Sequence, residues 1–525
     1  RRQRQMCIRD SKKGITMANS DLDTHTTSVK DVKQLGIWAA ICSLGYVFWI
    51  CGAMEMVERL AYYGVRQVSS LYATDAQSNG GLGLPGTDIG IIFLVWAMVQ
   101  SFVPVLTGGI SDRVGYKETI FASTIFKIFG YLLMAWFPTF WGFMAGAVVL
   151  AFGTGIFKPG IQGTIVKATN RQNSSMAWGV FYQTVNIGGW IGPLVAAQLR
   201  QLEWQYVFYA CAAIISLNFL LLLTYKEPDK EERLAHLAKV KSGEIKQENL
   251  AVDSLKELLH PIMIWYIVLF SGFWFMLMAF WDVGPLFFRD WVDTTVMVQT
   301  LFGEDGTHSR FWIFVLGMSS DGTRIMPEGL VNINAMLIMF TCFLIAGWSA
   351  LIKATNSMAI GTFLAATTLI VFGSFNHVWI VVAGIVCFSI GEMLSSPKSS
   401  EYLGNIAPKQ KKAMYLGFSQ LPLGIGWMAE GYFGQTLYYK FGAIDTVARP
   451  ALVEAGMSQA DADSIPIGEA FQRLVEFTGQ SADVLTAQLY AANNVGKAWF
   501  IMAAIGIVSA AGMYVYGRWT YQLQD

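Results

Sequence analysis

The sequence predicts an all-α protein that crosses a membrane many times, with twelve transmembrane helices arranged in two six-helix bundles. The first observation is composition: of 525 residues, 54% are hydrophobic and 14% are charged, whereas soluble domains carry about 25% charged residues. The second is a series of twelve apolar segments, and the third is a polar stretch that divides them equally. This composition excludes a disordered chain and a nucleic-acid-binding protein with a basic face, and it argues against most soluble enzymes.

Each apolar segment is long enough to cross the hydrocarbon core of a bilayer, which takes about 20 residues of helix. Because lipid offers the backbone no hydrogen bonds, each segment is predicted to be helical. The first is longer than a straight crossing requires, so it is expected to tilt or to continue beyond the bilayer. The segments are residues 37–73, 87–110, 117–137, 139–165, 177–199, 204–225, 262–291, 329–352, 357–375, 377–398, 411–438 and 494–519.

Residues 226–260 divide the chain, because they are polar and rich in charges of both signs. They are predicted to form a cytoplasmic linker between an N-terminal bundle at 29–225 and a C-terminal bundle at 261–525. A polar linker between two equal halves is typical of secondary transporters. Two longer loops on the other side of the membrane, 292–328 and 439–493, are predicted to be solvated, with a short amphipathic helix in the second.

The Lys and Arg residues of the loops predict the orientation of the chain in the membrane. Four loops on one side carry such residues, whereas the loops between spans one and two and between spans three and four carry none. Because cytoplasmic loops are enriched in Lys and Arg, both termini are predicted to be cytoplasmic, in a plasma (bacterial inner) membrane. The residues are Arg113, Lys117, Lys167, Arg171, Lys353, Lys409, Lys411 and Lys412.

Residues 1–28 are predicted to be a disordered tail. Residues 1–16 hold six Lys or Arg and one Asp, and we expect them to be non-native sequence ahead of a start at Met17. A genuine basic tail is the alternative.

The cysteines and histidines predict neither a disulfide framework nor a metal site. The cysteines of the apolar runs are scattered, without a CxxC pair or a His/Cys cluster, and such residues are usually small buried apolar groups. We therefore expect no cofactor, with the proton as the only coupling ion. Because the chain also lacks a GxSxG elbow and metal-ligand spacing, a membrane-embedded enzyme is not expected.

Span one carries charged residues in a place where each costs about 2.5–3.5 kcal/mol. Their spacing, together with a tyrosine, puts them on one helix face. Such a face must line the bundle interior or a wet cavity, so it predicts a path for a substrate or for protons. An internal salt bridge that locks helix packing is the alternative. The residues are Glu55, Glu58, Arg59, Tyr62 and Arg66, with Tyr63 adjacent.

Further polar residues lie within the other spans. The first half holds basic residues and the second holds acidic ones, an asymmetry that suits a zwitterion with its carboxylate toward the first half and its ammonium toward the second. Lys127, in span three, is expected to snorkel or to form a packing salt bridge. The others are Lys158 beside Pro159, Asn186, Asp282, Asn332, Asn334 and Glu392.

These residues also carry a family resemblance. The run EMVERLAYYG at 55–64 resembles the ExxER and ERxxYYG signature of the proton-dependent oligopeptide transporters, the peptide-transporter branch of the major facilitator superfamily. FYQTVNIG at 181–188 is similar to their FYxxINxG motif, and GEMLSSP at 391–397 to their span-ten GExxxSP. GISDRVGYK at 109–117 resembles the loop motif of the whole superfamily. The resemblance runs from about 35 to 438 and implies the major facilitator fold.

The resemblance implies a role for each matching residue. Glu55, Glu58 and Arg59 would form the proton-coupling cluster, and Arg66 and Asp282 an outside gate. Glu392 would take part in proton coupling and lie near the peptide amine. The residues implied to contact the peptide are Tyr62, Tyr63, Arg66, Lys158 and Asn186 from the first half, with Asn334 and Glu392 from the second.

The predicted function is proton-coupled symport of di- and tripeptides by alternating access. The partners implied are a small peptide, the proton and the lipid bilayer, with no nucleic acid, and the chain is expected to be a monomer. Two alternatives stay open: a proton-coupled transporter of another small solute, such as nitrate or an organic anion, and a non-transporting membrane receptor. The chain departs from the family pattern at Phe418, where a Trp is usual, and at Lys398 and Glu401.

Overall fold

The computed structural model describes residues 37–170, 173–228, 230–242, 255–349, 352–407, 415 and 417–522. Across these ranges the chain is helical, and the only β-pairing they contain is an isolated bridge between Met318 and Ile325. The predictions made for residues 1–28, with Met17, and for Arg171, Lys409, Lys411 and Lys412 lie outside the described residues.

Twelve helices of twenty residues or more form the body of the described chain, which confirms the predicted architecture. In the first half they are α1 Tyr46–Thr74, α2 Gly86–Val114, α3 Tyr116–Trp136, α4 Phe140–Ala168, α5 Ser174–Leu199 and α6 Trp204–Leu223. In the second half they are α7 Pro261–Asp282, α8 Pro327–Ser349, α9 Ala354–Ser374, α10 Val378–Ile406, α11 Gln420–Phe441 and α12 Lys497–Gln522.

Eight of the twelve helices are long and apolar enough, by length and composition alone, to cross a membrane. The other four are α1, α5, α8 and α11. Helix α1 differs because it carries four charged residues, which are described below as part of the site.

Two predicted spans are interrupted in the structure. The first, predicted over 37–73, divides into a short helix at Ile37–Cys42 and helix α1, with Gly45 preceding α1. The seventh, predicted over 262–291, divides into α7 and a separate helix at Gly284–Trp291. Pro285 lies at the start of that second helix, and since proline lacks an N–H it cannot continue the hydrogen bonds of α7. The break leaves Asp282 as the last residue of α7.

The two halves repeat the same helix pairings. In the first half α1 packs on α5 and α6, α3 on α4 and α6, and α2 on α4. In the second half α7 packs on α11 and α12, α9 on α10 and α12, and α8 on α10. Each pairing therefore recurs six helices later, as expected for a transporter built from two structural repeats.

Glycines bring α5 directly against the backbone of α1. A Cβ on Gly192 would lie 2.4 Å from the carbonyl oxygen of Leu60, and one on Gly188 would lie 2.6 Å from that of Met56. Small residues permit such close helix contacts inside membranes. This contact fixes the position of the charged segment of α1 within the bundle.

The halves meet along two helix pairs, α2 with α11 and α5 with α8. Gly90 of α2 lies against Gly431 of α11, where a Cβ would be 3.1 Å from the Gly431 oxygen. Between α5 and α8, Arg200 pairs with Glu328, and Asn332 donates to the Trp190 carbonyl at 2.7 Å. These contacts lie toward the end of the bundle where residues 75–85, 283–326 and 442–496 connect the helices, which we call the closed end.

The connections at the closed end, predicted to be solvated, are exposed along much of their length and also contain helices. Residues 442–496, which we call the outer segment, contain helices with buried apolar side chains such as Leu452 and Leu474. The amphipathic helix expected there is present as two. The outer segment also touches the first half, because Ser78 donates to Glu469 at 2.6 Å. Its helices are Ile444–Glu454, Gln459–Ser464, Ala470–Thr478 and Ala482–Ala492.

At the opposite end, the linker contributes a helix at Lys230–Lys241. Lys230 pairs with Glu118 of α3 at 3.2 Å, next to the sharp turn between α2 and α3. Gly115 makes this turn with φ of 128°, a backbone conformation that favours glycine. The linker is thus attached to the loop that carries the superfamily-like motif.

Candidate functional site

A cluster of four charged side chains is buried inside the first half. Arg59 Nε lies 2.9 Å from Glu55 Oε1 and 2.6 Å from Glu58 Oε2, and Lys127 Nζ lies 2.7 Å from Glu58 Oε1. All four residues are at most 5% exposed. The predicted common face of α1 is therefore present, and Lys127 is a packing salt bridge rather than a snorkelling residue. Two carboxylates and two cations make the cluster neutral.

Lys158 stands beside this neutral cluster and is not part of its ion pairs. It interacts electrostatically with Arg59, Glu55 and Glu58, and its side chain is partly exposed. The structure gives Lys158 neither a hydrogen bond nor an ion pair to any described residue. Its positive charge is therefore available to an anionic group of a ligand.

The two tyrosines of α1 have different surroundings. Tyr62 is buried and its hydroxyl shares hydrogen bonds with the Gln100 side chain at 2.9–3.0 Å. The Tyr63 ring lies 5.6 Å from the ring of Trp281 of α7, so it forms part of the contact between the halves. Both were predicted to touch substrate, and of the two Tyr63 is the less enclosed.

Arg66 and Asp282 form the ion pair that the resemblance implies. Arg66 Nη1 lies 2.5 Å from Asp282 Oδ1, and Nη2 lies 2.6 Å from Oδ2. The guanidinium also lies 4.8 Å from the ring centres of Phe93 and Trp427. The pair is buried between α1 and α7 near the closed end, so in this conformation Arg66 is occupied by Asp282 and does not face a ligand.

In the second half, Asn334 holds the carboxylate of Glu392. Its Nδ2 donates to Glu392 Oε2 at 3.0 Å and to Ser389 Oγ at 3.1 Å. Glu392 is partly exposed and has no cation partner among the described residues. It interacts electrostatically with Tyr63 and Tyr182, two tyrosines of the first half. A negative charge of the second half thus faces the first half with only an amide to balance it.

Asn186, predicted to touch substrate, is partly exposed and has its amide engaged within its own helix. Its Nδ2 donates to the Tyr182 carbonyl at 3.0 Å. Tyr182, one turn earlier, is 48% exposed and interacts electrostatically with Glu392 of the second half. Tyr182 is therefore a further candidate for contact with a ligand, which sequence reasoning did not select.

Sequence reasoning also missed several buried acids, two of which have no exposed surface. Glu328, at the start of α8, pairs with Arg200, and Glu430 lies within α11 with no exposed surface. The high cost of a charge within a span was the signal that could have identified Glu430, because it interrupts the run GIGWMAEGYFG. Glu328 lies at a span boundary, where charges are common and carry no such signal.

Comparison with known proteins shows which family the chain belongs to. The sequence profile of the Major Facilitator Superfamily matches residues 38–429. The uncharacterized transporter YclF of Bacillus subtilis is 30% identical over 192 residues, which is 35% of this chain and 38% of that protein. The peptide transporter YePEPT of Yersinia enterocolitica is 29% identical over 29% of this chain and 31% of its own length. The multidrug resistance protein MdtH of Edwardsiella ictaluri is 23% identical over 69% of this chain and 80% of its own.

Among solved structures, a POT family transporter in complex with a thioalcohol-conjugated peptide has a TM-score of 0.62 at 16% identity, covering 90% of this chain and 96% of that one. At this identity the similarity shows a shared fold. The profile match covers most of the chain and agrees with the two repeated six-helix bundles. The chain belongs to the Major Facilitator Superfamily.

Proposed function

We propose that this chain is a proton-coupled symporter of di- and tripeptides that works by alternating access. One observation carries the proposal: a cation of the first half, Lys158, and a carboxylate of the second, Glu392, both lack a counter-ion among the residues that the structure describes. A peptide brings a carboxylate and an ammonium on one molecule. Binding such a zwitterion between the halves would neutralise both charges at once, which an anion alone would not do.

The comparisons support the peptide as the substrate class, on limited coverage. YePEPT is named a peptide transporter, but the match spans 31% of its length. YclF is likewise matched over 38% of its length. The substrate therefore rests chiefly on the charges of the site.

The conformation supports alternating access with the outer side shut. By the distribution of Lys and Arg, the closed end faces outward. There the halves are joined by the Arg66–Asp282 pair and by the contacts of α2 with α11. Rocking of the halves about a site near the bilayer midplane is the usual motion of such two-repeat transporters.

Glu55 is our candidate for the carboxylate that carries the proton. Both oxygens of Glu58 are in ion pairs, one with Arg59 and one with Lys127. Glu55 shares Arg59 through Oε1 only, and its Oε2 has no hydrogen-bond partner. A proton on Glu55 therefore disturbs fewer contacts than a proton on Glu58. Each proton that moves inward through a membrane potential of 100 mV would contribute about 2.3 kcal/mol of driving force.

The test is uptake of labelled dialanine by purified protein in liposomes, with an acidic outside and a negative potential inside. We expect concentrative uptake that a protonophore abolishes and that unlabelled dipeptide, but not nitrate, inhibits. Glu55→Gln should remove the response to the proton gradient while leaving exchange of peptide across the membrane. The matched control is Glu476→Gln, which removes an exposed carboxylate of the outer segment.

Three results would contradict the proposal. Binding of dialanine without flux would indicate a receptor. Uptake that nitrate or an organic anion inhibits, but dipeptides do not, would indicate another solute. Concentrative dialanine uptake that ignores the protonophore would separate peptide transport from proton coupling.

A further inference from the structure

Glu430 of α11 is a buried acid that the proposed transport cycle has not used. Its side chain has no exposed surface, and neither carboxyl oxygen receives a hydrogen bond from any described residue. A carboxylate buried without donors is among the costliest groups a protein interior can hold. A neighbouring charged group or a bound proton must therefore offset the free-energy cost of burying this carboxyl group.

The neighbour of Glu430 is the gate. Glu430 interacts electrostatically with Asp282 and Arg66, and the ring centre of Trp427, three residues earlier on α11, lies 4.8 Å from the Arg66 guanidinium. Asp282 in turn holds the guanidinium of Arg66 through both of its oxygens. Glu430 is thus a second acid beside the Arg66–Asp282 pair, in which the two charges already balance.

The backbone of α11 leaves room for this carboxyl group. A Cβ on Gly434, one turn further along, would lie 2.5 Å from Glu430 Oε1. The carboxyl group therefore occupies the volume that a side chain at 434 would fill. The absence of a side chain at Gly434 thus leaves space on α11 for the Glu430 carboxyl group.

The charges of this cluster do not balance if all three groups are ionised. Arg66 supplies one positive charge, whereas Asp282 and Glu430 would supply two negative charges. Helix α11 packs on α2, α7 and α12 and on the helix Ile444–Glu454. Among the described residues, the charged groups that interact with Glu430 are Asp282 of α7 and Arg66 of α1. One proton would make the cluster neutral and would also provide the missing donor.

We propose that Asp282 and Glu430 form a proton-binding site in the closed gate, with Glu430 as a neutral carboxylic acid that donates its hydrogen bond to Asp282. The proton comes from water and adds to a carboxylate oxygen of Glu430, with no other bond made or broken. The proposal concerns the resting closed gate and does not depend on which solute is carried.

The position of the site gives it a part in gating. Asp282 and Glu430 both belong to the second half, whereas Arg66 belongs to the first. When the outer end opens, Arg66 withdraws and the two acids face the outer solution together, where their proton can exchange. When the end closes, the proton is sealed behind the ion pair.

The experiment is infrared spectroscopy of the purified full chain at neutral pH, in a maltoside detergent that has no ester carbonyl. A protonated carboxyl group gives a carbonyl stretch that shifts in heavy water, and an ionised one does not. We expect Glu430→Gln to lose the intensity of one carboxylic acid per molecule. Glu401→Gln, at a partly exposed ion pair of α10, is the matched control and should leave this region unchanged.

A second variant keeps the test decisive if Glu430→Gln does not fold. In Asp282→Asn the only remaining acid beside Arg66 is Glu430, which should ionise to pair with it, so the same band should disappear. An unchanged spectrum in Glu430→Gln would overturn the proposal. So would an Asp282→Asn protein that keeps the band, because the proton would then not be set by the balance with Arg66.

Discussion

The two halves hold their buried charges in different ways. In the first half, both carboxylate oxygens of Glu58 are in ion pairs, one with Arg59 of α1 and one with Lys127 of α3, and the four-residue cluster is neutral by itself. In the second half, Glu392 accepts from the amide of Asn334, and Glu430 has no hydrogen-bond donor among the described residues. The first-half cluster therefore contains its own counter-ions, whereas Asp282, Glu392 and Glu430 have no cation partner from their own half among the described residues.

This difference suggests a division of labour. A cluster that is complete within one half can stay intact while the halves move. A carboxylate whose cation partner lies in the other half would lose that partner whenever the halves separated in the proposed cycle. Its electrostatic environment would then differ between the open and closed conformations. Three cations of the first half lie outside this cluster. Lys158 has no ion-pair partner among the described residues, and Arg66 and Arg200 pair with acids of the second half.

The largest effect should come from breaking the complete cluster. Glu58→Gln would leave Lys127 buried without its carboxylate, and removing one partner of a buried pair costs about 3–5 kcal/mol. We expect a marked loss of folded protein and of proton-driven uptake, measured by thermal unfolding in detergent and by liposome assay.

The double variant Glu58→Gln with Lys127→Met is the control for this prediction. It removes both charges of one pair, so it should regain most of the lost thermal stability. If the single variant were as stable as the native chain, the cluster would not be the closed unit described here.

The next effect should come from the unpaired cation. We expect Lys158→Gln to weaken binding of dialanine roughly tenfold to a hundredfold, as for loss of one hydrogen bond to a charged group worth about 1.5–3 kcal/mol. Binding of the same dipeptide with an amidated carboxyl end should hardly change. Titration calorimetry on both ligands measures the difference, and equal losses for both would remove Lys158 from the carboxylate-binding role.

A smaller effect is expected at Glu392, because Gln at this position keeps an oxygen for Asn334. We expect Glu392→Gln to weaken binding of dialanine about tenfold, the lower part of the range for a charged hydrogen bond. An N-acetylated dipeptide, which has no ammonium, should bind the variant and the native chain alike. If the variant bound the acetylated dipeptide more weakly than the native chain does, the peptide amine would not lie at Glu392.

The smallest effect should come from a pair in which only one partner is enclosed. Lys398 and Glu401 lie 2.7 Å apart, with the Lys398 side chain 6% exposed and the Glu401 side chain 49% exposed. Because water reaches the carboxylate, and Gln at 401 keeps an oxygen that can accept from Lys398, Glu401→Gln should change the thermal midpoint and the uptake rate little. A large loss of uptake would show that this departure from the family pattern has a functional role.

The sequence was sufficient for the twelve helices and for the residues of the first-half cluster, because hydropathy and the cost of buried charge act locally. It could not pair Lys127 with Glu58, since nothing in one sequence says which helices touch. The pairing of Arg66 with Asp282 came from the family resemblance alone. The end of α7 at Asp282 was missed because the apolar run continues through Gly284–Trp291, and the packed outer segment was missed because its apolar residues are sparse.

The contact between the outer segment and the first half has a consequence for rates. Ser78 and Glu469 join the two halves on the surface. In the proposed alternating-access cycle this hydrogen bond would have to break before the outer end opens. A hydrogen bond that is present in the closed conformation and broken in the transition state for opening slows the opening step. It lengthens the lifetime of the closed conformation without changing the affinity of the central site. The outer segment would therefore act on turnover as a timing element, and sequence changes in 442–496 could tune the speed of the cycle independently of its specificity.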